Sequence, residues 1–219
     1  MAELRYTLLA DGSSDRALLP ILTWALQQQG VTYAIQSTWA DLGRLPRRPR
    51  TFVERIDTTL RLYPCDLLCI HRDAEREPHA VRHSEIVRAL DELARQQQLL
   101  PVAVCVVPVR MLEAWLLFDE TAIRMASGNP RGRQDLQLPR LADIERSPDP
   151  EEILRQLMRT ASGLSGRRLQ RLEVNPLRVA ELIDDFSPLR ALSAFQAFEQ
   201  ELEQVVMTQG WGDIAGDPG

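Results

Sequence analysis

The sequence predicts an α/β fold: a Rossmannoid three-layer sandwich with a mainly parallel four-stranded sheet and a C-terminal helical extension. Three observations lead to this prediction. Over residues 1–107, short apolar segments alternate regularly with segments of helical period. Residues 66–72 are almost continuously apolar, as in a strand buried on both faces of a parallel sheet. After residue 110 the patterns are helical only, which indicates a helical layer added to the sheet.

The first half of the chain gives three of the strands. Residues 4–10 predict a strand that ends at Asp11-Gly12-Ser13-Ser14, and residues 15–29 carry apolar side chains at helical spacing. Gly30 stops that helix, and residues 31–36 predict the second strand. Thr51 opens a second helix that runs to about residue 61, and residues 66–72 form the third strand, at the centre of the sheet.

The second half completes the sheet and adds the helices. Ser84 begins a helix that runs to about residue 98, and residues 101–107 predict the fourth strand. Further helices are expected over residues 110–118, 120–126, 150–160, 177–185 and 188–207. The predicted organisation is a core over residues 1–125, a helical extension over 126–209 packed on that core, and a flexible tail over 210–219.

Length and composition indicate a soluble, cytoplasmic protein. The chain has 219 residues, of which 44% are hydrophobic, enough for one core. Its apolar runs are far shorter than the ~20 residues that span a bilayer, and the N-terminal residues do not resemble a secretory signal. The three cysteines are predicted to be buried thiols, and His79 and His83 an exposed pair, because neither pattern matches a zinc motif.

The charge pattern limits how the chain can meet a nucleic acid. The net charge of −5 provides no global basic field, so contact with phosphates would be local. All 26 basic residues are arginine, which excludes a Walker-type phosphate loop because that loop needs a lysine. Arg47 and Arg48 belong to the densest basic stretch, residues 44–50, which either contacts phosphates or is a solvated loop.

Acidic residues follow three of the predicted strands, at the edge where ligands bind in open α/β sheets. They are Asp11 and Asp15, then Asp73 and Glu75, then Glu113. Convergent carboxylates suit hard divalent cations such as Mg²⁺. Two of these residues have a structural role as the alternative to metal binding. Asp15 suits a first helical turn, where negative charge complements the helix dipole. Glu113 lies in an apolar neighbourhood, where a salt bridge would satisfy its charge.

If the backbone stays extended after the third strand, Asp73 and Glu75 face the same way and share one cation or hold two. The spacing of this pair is therefore compatible with ligation, provided that the extended conformation continues past the strand.

The order of these motifs resembles the TOPRIM fold, in which a strand ends in Glu-Gly-x-x-Asp and a later strand ends in Asp-x-Asp. Here the corresponding segments are Asp11-Gly12-Ser13-Ser14-Asp15 and Asp73-Ala74-Glu75. The segments 113–119 and 194–198 further resemble the bacterial TOPRIM-like family catalogued as domain of unknown function 4276. The resemblance covers most of the chain.

The resemblance implies a Mg²⁺- or Mn²⁺-dependent nuclease or phosphodiester-transfer protein, as in the overcoming-lysogenization-defect nucleases. It also implies an effector role in a bacterial phage-defence system, with an ATPase as partner and DNA or RNA as the substrate. Asp11, Asp73, Glu75 and Glu113 would form the catalytic set, with Asp15 a further metal ligand. In a two-metal mechanism, one ion activates water and the other stabilises the leaving oxygen.

The sequence departs from the TOPRIM pattern at three points. Aspartate replaces glutamate at residue 11, glutamate replaces aspartate at residue 75, and the lysine of related nucleases is missing. Arg167 or Arg168 would take the place of that lysine as a phosphate clamp, or would lie on a solvated helix face. The replacements at residues 11 and 75, together with the acidic net charge, favour an alternative, a non-catalytic subunit that binds a partner ATPase. A third alternative is a small-molecule phosphohydrolase that uses the same carboxylates.

Overall fold

The protein is an α/β Rossmannoid sandwich built on one four-stranded, all-parallel sheet, as the sequence predicted. The computed structural model describes residues 3–96 and 99–212. Strand order across the sheet is β2-β1-β3-β4, and β1 pairs with both β2 and β3. The strands are β1 (Glu3–Leu9), β2 (Ala34–Trp39), β3 (Leu67–His71) and β4 (Val102–Val106).

Helices connect and follow these strands. The α-helices are α1 (Leu18–Gln28), α2 (Phe52–Leu62), α3 (His79–Gln96), α4 (Glu120–Ala126), α5 (Pro150–Ser162), α6 (Gly166–Gln170), α7 (Pro176–Ala180) and α8 (Ser193–Gln209). Short 3-10 helices cover Ser14–Ala17, Leu42–Arg44, Leu112–Leu116, Leu141–Arg146 and Ser187–Ala191.

Local sequence determines where several helices begin. At α2, the Thr51 hydroxyl accepts a hydrogen bond from the Glu54 N–H (3.1 Å) and the Glu54 carboxylate accepts one from the Thr51 N–H (3.3 Å). This reciprocal capping box satisfies backbone donors that have no partner inside the helix. At α5, Asp149 caps the start, Pro150 occupies the first turn, and Gly163 ends the helix at a φ of 64°.

Alternation along the strands sorts side chains onto two buried faces. On β3, Leu67 and Cys69 face the layer that contains α1 and the C-terminal helices, whereas Leu68 and Ile70 face α2 and α3. We call these the α1 face and the α3 face. Because successive strand residues point to opposite faces, His71 continues the Leu67–Cys69 series onto the α1 face.

The C-terminal helices pack on the α1 face and on the edge of the sheet. Trp115, Phe195 and Phe198 are buried together, and the Trp115 and Phe195 rings meet edge to face with centroids 5.2 Å apart. Helix α8 lies along β4, the last strand of the sheet. Helix α7 contacts the segment Ser14–Ala17 at the start of α1. The helical layer therefore borders the edge at which β1 and β3 end.

Three predicted elements differ from the structure. The predicted helix over 110–118 is only the 3-10 turn Leu112–Leu116, because Arg110 adopts a left-handed φ of 67°. The predicted helix over 188–207 is interrupted by extended backbone at Leu192, which separates Ser187–Ala191 from α8. The second strand begins at Ala34 and not at Val31, which instead forms a bridge with Gly212.

Other boundaries are closer to prediction. Helix α3 starts at His79, five residues before the predicted Ser84. Helix α6 and the 3-10 helix Leu141–Arg146 were not predicted. Most of the expected flexible tail, residues 213–219, lies outside the described residues. Across residues 3–96 and 99–212, no helix has the length and hydropathy needed to cross a membrane.

Candidate active site

The candidate site lies where β1 and β3 end side by side. After β1 the chain passes to β2 on one side, and after β2 it crosses to β3 on the other. Such a reversal leaves a crevice beyond the carboxyl ends of the two strands. The five acidic residues singled out in the sequence all follow strands at this edge, but the structure separates them into two groups.

In one group, two acids lie beside His71 and the third is buried close enough to interact with their charges. We call Asp15, Asp73 and Glu113 the inner acids. Asp15 and Glu113 are buried, with 7% and 8% of their surface exposed, and the Asp73 side chain is 31% exposed. His71 is 2% exposed, and its Nε2 lies 3.3 Å from Asp73 Oδ1 and 4.0 Å from Asp15 Oδ2. The imidazole edge therefore points between two carboxylates.

Hydrogen bonding determines which nitrogen of His71 is available. Its Nδ1 lies 3.0 Å from the Val106 carbonyl oxygen on the neighbouring strand β4. A carbonyl oxygen only accepts, so Nδ1 carries the hydrogen and donates it. Nε2 then either carries a second proton or offers a lone pair to a cation. A histidine that ligates a metal commonly donates its other N–H to a backbone carbonyl in this way.

Backbone N–H groups hold two of the inner acids in place. The Gly12 N–H donates to Asp15 Oδ2 over 2.7 Å, and the Ser14 hydroxyl lies 3.3 Å from Asp15 Oδ1. The Leu112 N–H donates to Asp73 Oδ1 over 3.0 Å. Within the described ranges, no arginine forms an ion pair with any of the three. The salt bridge considered for Glu113 is therefore not seen there.

The electrostatics of the inner acids indicate a shortage of positive charge. Burial, reinforced by the charges of Asp73 and Asp15, raises the pKa of Glu113 to about 7. Burial also raises the pKa of Asp15, although His71 opposes that shift. Burial disfavours a charged His71, but Asp73 and Asp15 outweigh it, so the pKa of the imidazole is raised. The raised pKa values of Asp15 and Glu113 show that a cation would stabilise their ionised forms, whereas the raised pKa of the imidazole means that a protonated His71 supplies part of that positive charge.

The other group is already neutralised by arginines. We call Asp11 and Glu75 the outer acids. Asp11 ion-pairs with Arg55, which also donates from Nη2 to the Ala10 carbonyl over 2.8 Å. Arg72 lies 4.0 Å from Asp11. The Glu75 side chain is 66% exposed and lies 3.5 Å from Arg82. The outer acids therefore point toward arginines of α2, α3 and the loop after β3.

The expectation that Asp73 and Glu75 face the same way is wrong. Glu75 has a φ of 53°, so the backbone leaves the extended conformation after Asp73 and the period of two no longer applies. The loops after β3 and β4 are joined instead: the Ala74 N–H donates to Pro108 (3.1 Å) and the Glu75 N–H to Arg110 (2.8 Å). This pairing turns Glu75 away from the inner acids.

Two pockets flank the loop that carries Asp11 to Asp15. One, of about 400 Å³, is lined by Ser14 and Glu113 together with Glu151, Arg155 and Arg159 of α5 and nearby apolar residues. The other, of about 320 Å³, is lined by Asp11, Gly12 and Ser13 together with Trp39, Arg48, Arg55 and neighbouring loop residues. Each pocket thus places arginines beside one end of the acidic loop.

The predicted phosphate-binding arginines lie at different distances from this loop. Arg48 lines the 320 Å³ pocket and donates from Nε to the Gly43 carbonyl over 3.1 Å. Arg47 lies in an adjoining pocket with Arg48, Arg50 and Arg61. Arg167 and Arg168 are exposed on α6 and line neither pocket at the acidic loop.

The inner acids and His71 offer the donor types that a divalent cation binds. They provide an imidazole nitrogen and carboxylate oxygens, which together suit Mn²⁺ or Zn²⁺ as well as Mg²⁺. In the described residues, no three of these ligand atoms all lie within 4.8 Å of one another. Side-chain movements would therefore have to accompany binding.

The sequence reasoning missed His71. A period-two argument would have found it, because residue 71 follows Leu67 and Cys69 on one face of the strand and stands two residues before Asp73. A histidine that ends an otherwise apolar buried strand needs polar partners, and the acidic residues of the next loop supply them.

Comparison with protein-family models, with curated proteins and with solved structures finds no match to this chain. The site therefore has to be interpreted from its own residues and geometry.

Proposed function

We propose that the protein is a TOPRIM-like, divalent-metal-dependent phosphodiester hydrolase that acts on nucleic acid, with its centre at His71 and the inner acids. The observation that carries the proposal is the position of His71 Nε2, 3.3 Å from Asp73 and 4.0 Å from Asp15, with Nδ1 committed to a backbone carbonyl. The inner acids have no arginine partner in the described chain, whereas the outer acids do.

His71, Asp73 and Asp15 would hold the cation, with Glu113 at its side. A bound divalent cation supplies Lewis-acid polarisation of a phosphoryl oxygen and neutralises the negative charge that develops there. The imidazole nitrogen favours Mn²⁺ over Mg²⁺, because Mg²⁺ prefers oxygen ligands only. Val106 and Leu112 orient the ligands through their backbone groups, the supporting role that outer hydrogen bonds have around metal centres.

Glu113 is suited to moving a proton. Its carboxyl group borders the 400 Å³ pocket, and in the absence of a cation burial raises its pKa to about 7. A cation bound beside it would lower that pKa. A general acid or base is most effective when its pKa lies near the working pH. Glu113 would accept a proton from an attacking water or return one to the leaving oxygen.

The two pockets favour an extended phosphate-bearing substrate over a single compact one. Each pocket holds two arginines. Arg55 already pairs with Asp11, and Arg155 with Glu151 and Glu152. Arg48 in one pocket and Arg159 in the other form no ion pair in the described residues, so one such guanidinium group lies on each side of the acidic loop. Guanidinium groups bind phosphates in a bidentate manner. A strand crossing the loop would meet arginines before and after the scissile phosphate, which compensates locally for the net charge of −5.

The test is a cleavage assay on single-stranded DNA, double-stranded DNA and RNA with Mg²⁺, Mn²⁺ or a chelator. We expect cleavage of at least one substrate with metal and none with chelator. Asp73→Asn should remove it, because the amide keeps the hydrogen bond from Leu112 but loses the charge. The matched control is Asp66→Asn: Asp66 pairs with Arg5 before the start of β3, far from the crevice.

The rival function is a non-catalytic subunit that binds a partner such as an ATPase. It is favoured by one observation: Asp11, a member of the sequence-predicted catalytic set, is held by Arg55. If purified protein binds Mn²⁺ but cleaves none of the three substrates, alone or with a partner ATPase, the rival replaces the hydrolase proposal. Cleavage that Asp66→Asn and Asp73→Asn impair equally would also count against the proposed centre.

A further inference from the structure

A second cluster of metal-binding side chains lies at the far edge of the sheet, where β4 has no neighbouring strand among the described residues. Helix α8 covers this edge, and the Glu201 carboxylate accepts a hydrogen bond from the Cys105 N–H over 3.1 Å. That contact satisfies a backbone donor that another strand would otherwise bind. The edge of β4 is thus closed by a side chain of the C-terminal helix.

Three different ligand types converge beside this contact. The Cys105 sulfur, a His83 ring nitrogen and a Glu201 carboxylate oxygen all lie within 4.8 Å of one another. His83 Nε2 and Glu201 Oε2 are 3.5 Å apart. Ligands of a tetrahedral ion with bonds of about 2.0–2.3 Å lie roughly 3.3–3.8 Å apart. Closing the cluster around an ion therefore requires shifts of at most about 1.5 Å.

We propose that His83, Cys105 and Glu201 form a binding site for a zinc-class transition-metal ion. Thiolate, imidazole and carboxylate are the ligand types of zinc sites, and a sulfur ligand discriminates against Mg²⁺ and Ca²⁺. The ligands come from α3, β4 and α8, so an ion here would tie both helices to the edge of the sheet. It would be separate from the centre at His71.

The fourth coordination position faces a pocket. This pocket, of about 600 Å³, is lined by the three ligands and by His79, Ser84 and Gln200, among others. The His79 ring stacks on His83 with centroids 6.1 Å apart, one helical turn earlier on α3. The sequence predicted an exposed pair, but both histidines are partly buried and line this pocket. The pocket gives an ion a route of entry and room for a water molecule.

The test uses Co²⁺ as a spectroscopic probe of the full-length, reduced protein. Coordination by Cys105 should produce a thiolate-to-cobalt charge-transfer band, and Zn²⁺ should displace Co²⁺ and abolish the band. Cys105→Ser should remove the band entirely. His83→Gln, at a partly exposed position that tolerates substitution, should weaken Zn²⁺ binding by at least about 100-fold, since loss of a ligand costs more than loss of an outer hydrogen bond.

Two control variants distinguish this cluster from a second thiol and from the centre at His71. Cys65→Ser changes a thiol outside the cluster and should leave the band unchanged. Asp73→Asn disables the proposed hydrolase centre and should also leave the band unchanged, so the two proposals fail independently. The proposal is overturned if wild-type protein gives no charge-transfer band, or if the band survives Cys105→Ser. Equal Zn²⁺ affinity of His83→Gln and wild type would overturn it as well.

Discussion

The inner and outer acids lie at the same sheet edge, come from neighbouring loops and carry the same chemical group, yet their surroundings are opposite. Asp15 and Asp73 lie beside a buried histidine on the α1 face, and Glu113 is buried close enough to them for their charges to raise its pKa. Asp11 and Glu75 reach arginines of α2, α3 and the loop after β3. An arginine partner provides permanent neutralisation, whereas a carboxylate without one remains available to an exchangeable cation. Position in the sequence identifies acids at a strand end, but the presence or absence of an arginine partner determines which of them are available as ligands.

The largest difference between the two groups should appear in metal affinity. His71→Gln removes the nitrogen that faces Asp73 and Asp15, so we expect Mn²⁺ affinity to fall by at least about 100-fold. Glu75→Gln, on an exposed outer acid, should change it by less than about threefold. Titration calorimetry with Mn²⁺ measures both, with circular dichroism to verify folding. An equal loss of Mn²⁺ affinity in the two variants would show that the inner and outer acids do not differ in metal binding.

The next effect concerns stability against pH. The pKa of Glu113 is about 7 in the folded protein and 4.5 ordinarily, so the folded state binds this proton more tightly. Its contribution favours folding below pH 4.5 and is lost as the pH rises to about 7. At about 1.4 kcal/mol per pKa unit, the loss amounts to at most about 3 kcal/mol.

Glu113→Gln should therefore lose less stability than wild type between pH 5 and pH 8. Urea unfolding in the presence of chelator measures this difference. Glu75→Gln serves as the control and should keep the wild-type pH dependence. A Glu113→Gln curve parallel to that of wild type would show that burial does not raise the pKa of Glu113.

A smaller effect is expected for the ion pair of the outer acids. Asp11 and Arg55 are partly exposed, with side chains 50% and 24% accessible, so solvent screens their attraction. A double-mutant cycle with Asp11→Asn and Arg55→Gln should give a coupling energy of about 1 kcal/mol or less. A coupling energy near zero, together with a large loss of Mn²⁺ affinity in Asp11→Asn alone, would move Asp11 into the inner group.

The smallest effect is expected for single arginines around the loop. Arg48→Gln should reduce the slope of log affinity for single-stranded DNA against log salt by about 0.7, because one fewer counterion is released. Arg167→Gln should leave the slope unchanged, since Arg167 lines neither pocket at the acidic loop. Fluorescence anisotropy at several salt concentrations distinguishes the two. A slope that falls in Arg167→Gln and stays unchanged in Arg48→Gln would show that the nucleic acid binds along α6.

Much of the fold could be predicted because its determinants are local or periodic. The apolar run of β3 indicated a central strand, and Thr51 with Glu54 marked the start of α2. The helix predicted over 110–118 failed because its apolar residues fill the core from a 3-10 turn that follows left-handed Arg110. Spacing alone does not distinguish that turn from a helix.

The site could be predicted only in part. Strand ends identified all five acids, but their division depends on contacts remote in sequence. Arg55 lies 44 positions from Asp11, and Leu112 lies 39 positions from Asp73. The orientation of Glu75 was predicted wrongly because the strand period does not extend into the loop. The cluster of His83, Cys105 and Glu201 could not be predicted either, since Cys105 and Glu201 are 96 positions apart.

The paired loops after β3 and β4 have a consequence for how this site can vary. Backbone hydrogen bonds run from Ala74 and Glu75 to Pro108 and Arg110, and another backbone donor, Leu112, reaches Asp73. Backbone hydrogen bonds therefore determine the spacing between Asp73 and Glu113. Such bonds depend little on which side chains the loops carry, but they depend on the number of residues in each loop. Replacing Arg110 by glycine or asparagine, which tolerate its left-handed φ, would preserve the centre, whereas inserting or deleting one residue between 108 and 112 would move two inner acids at once.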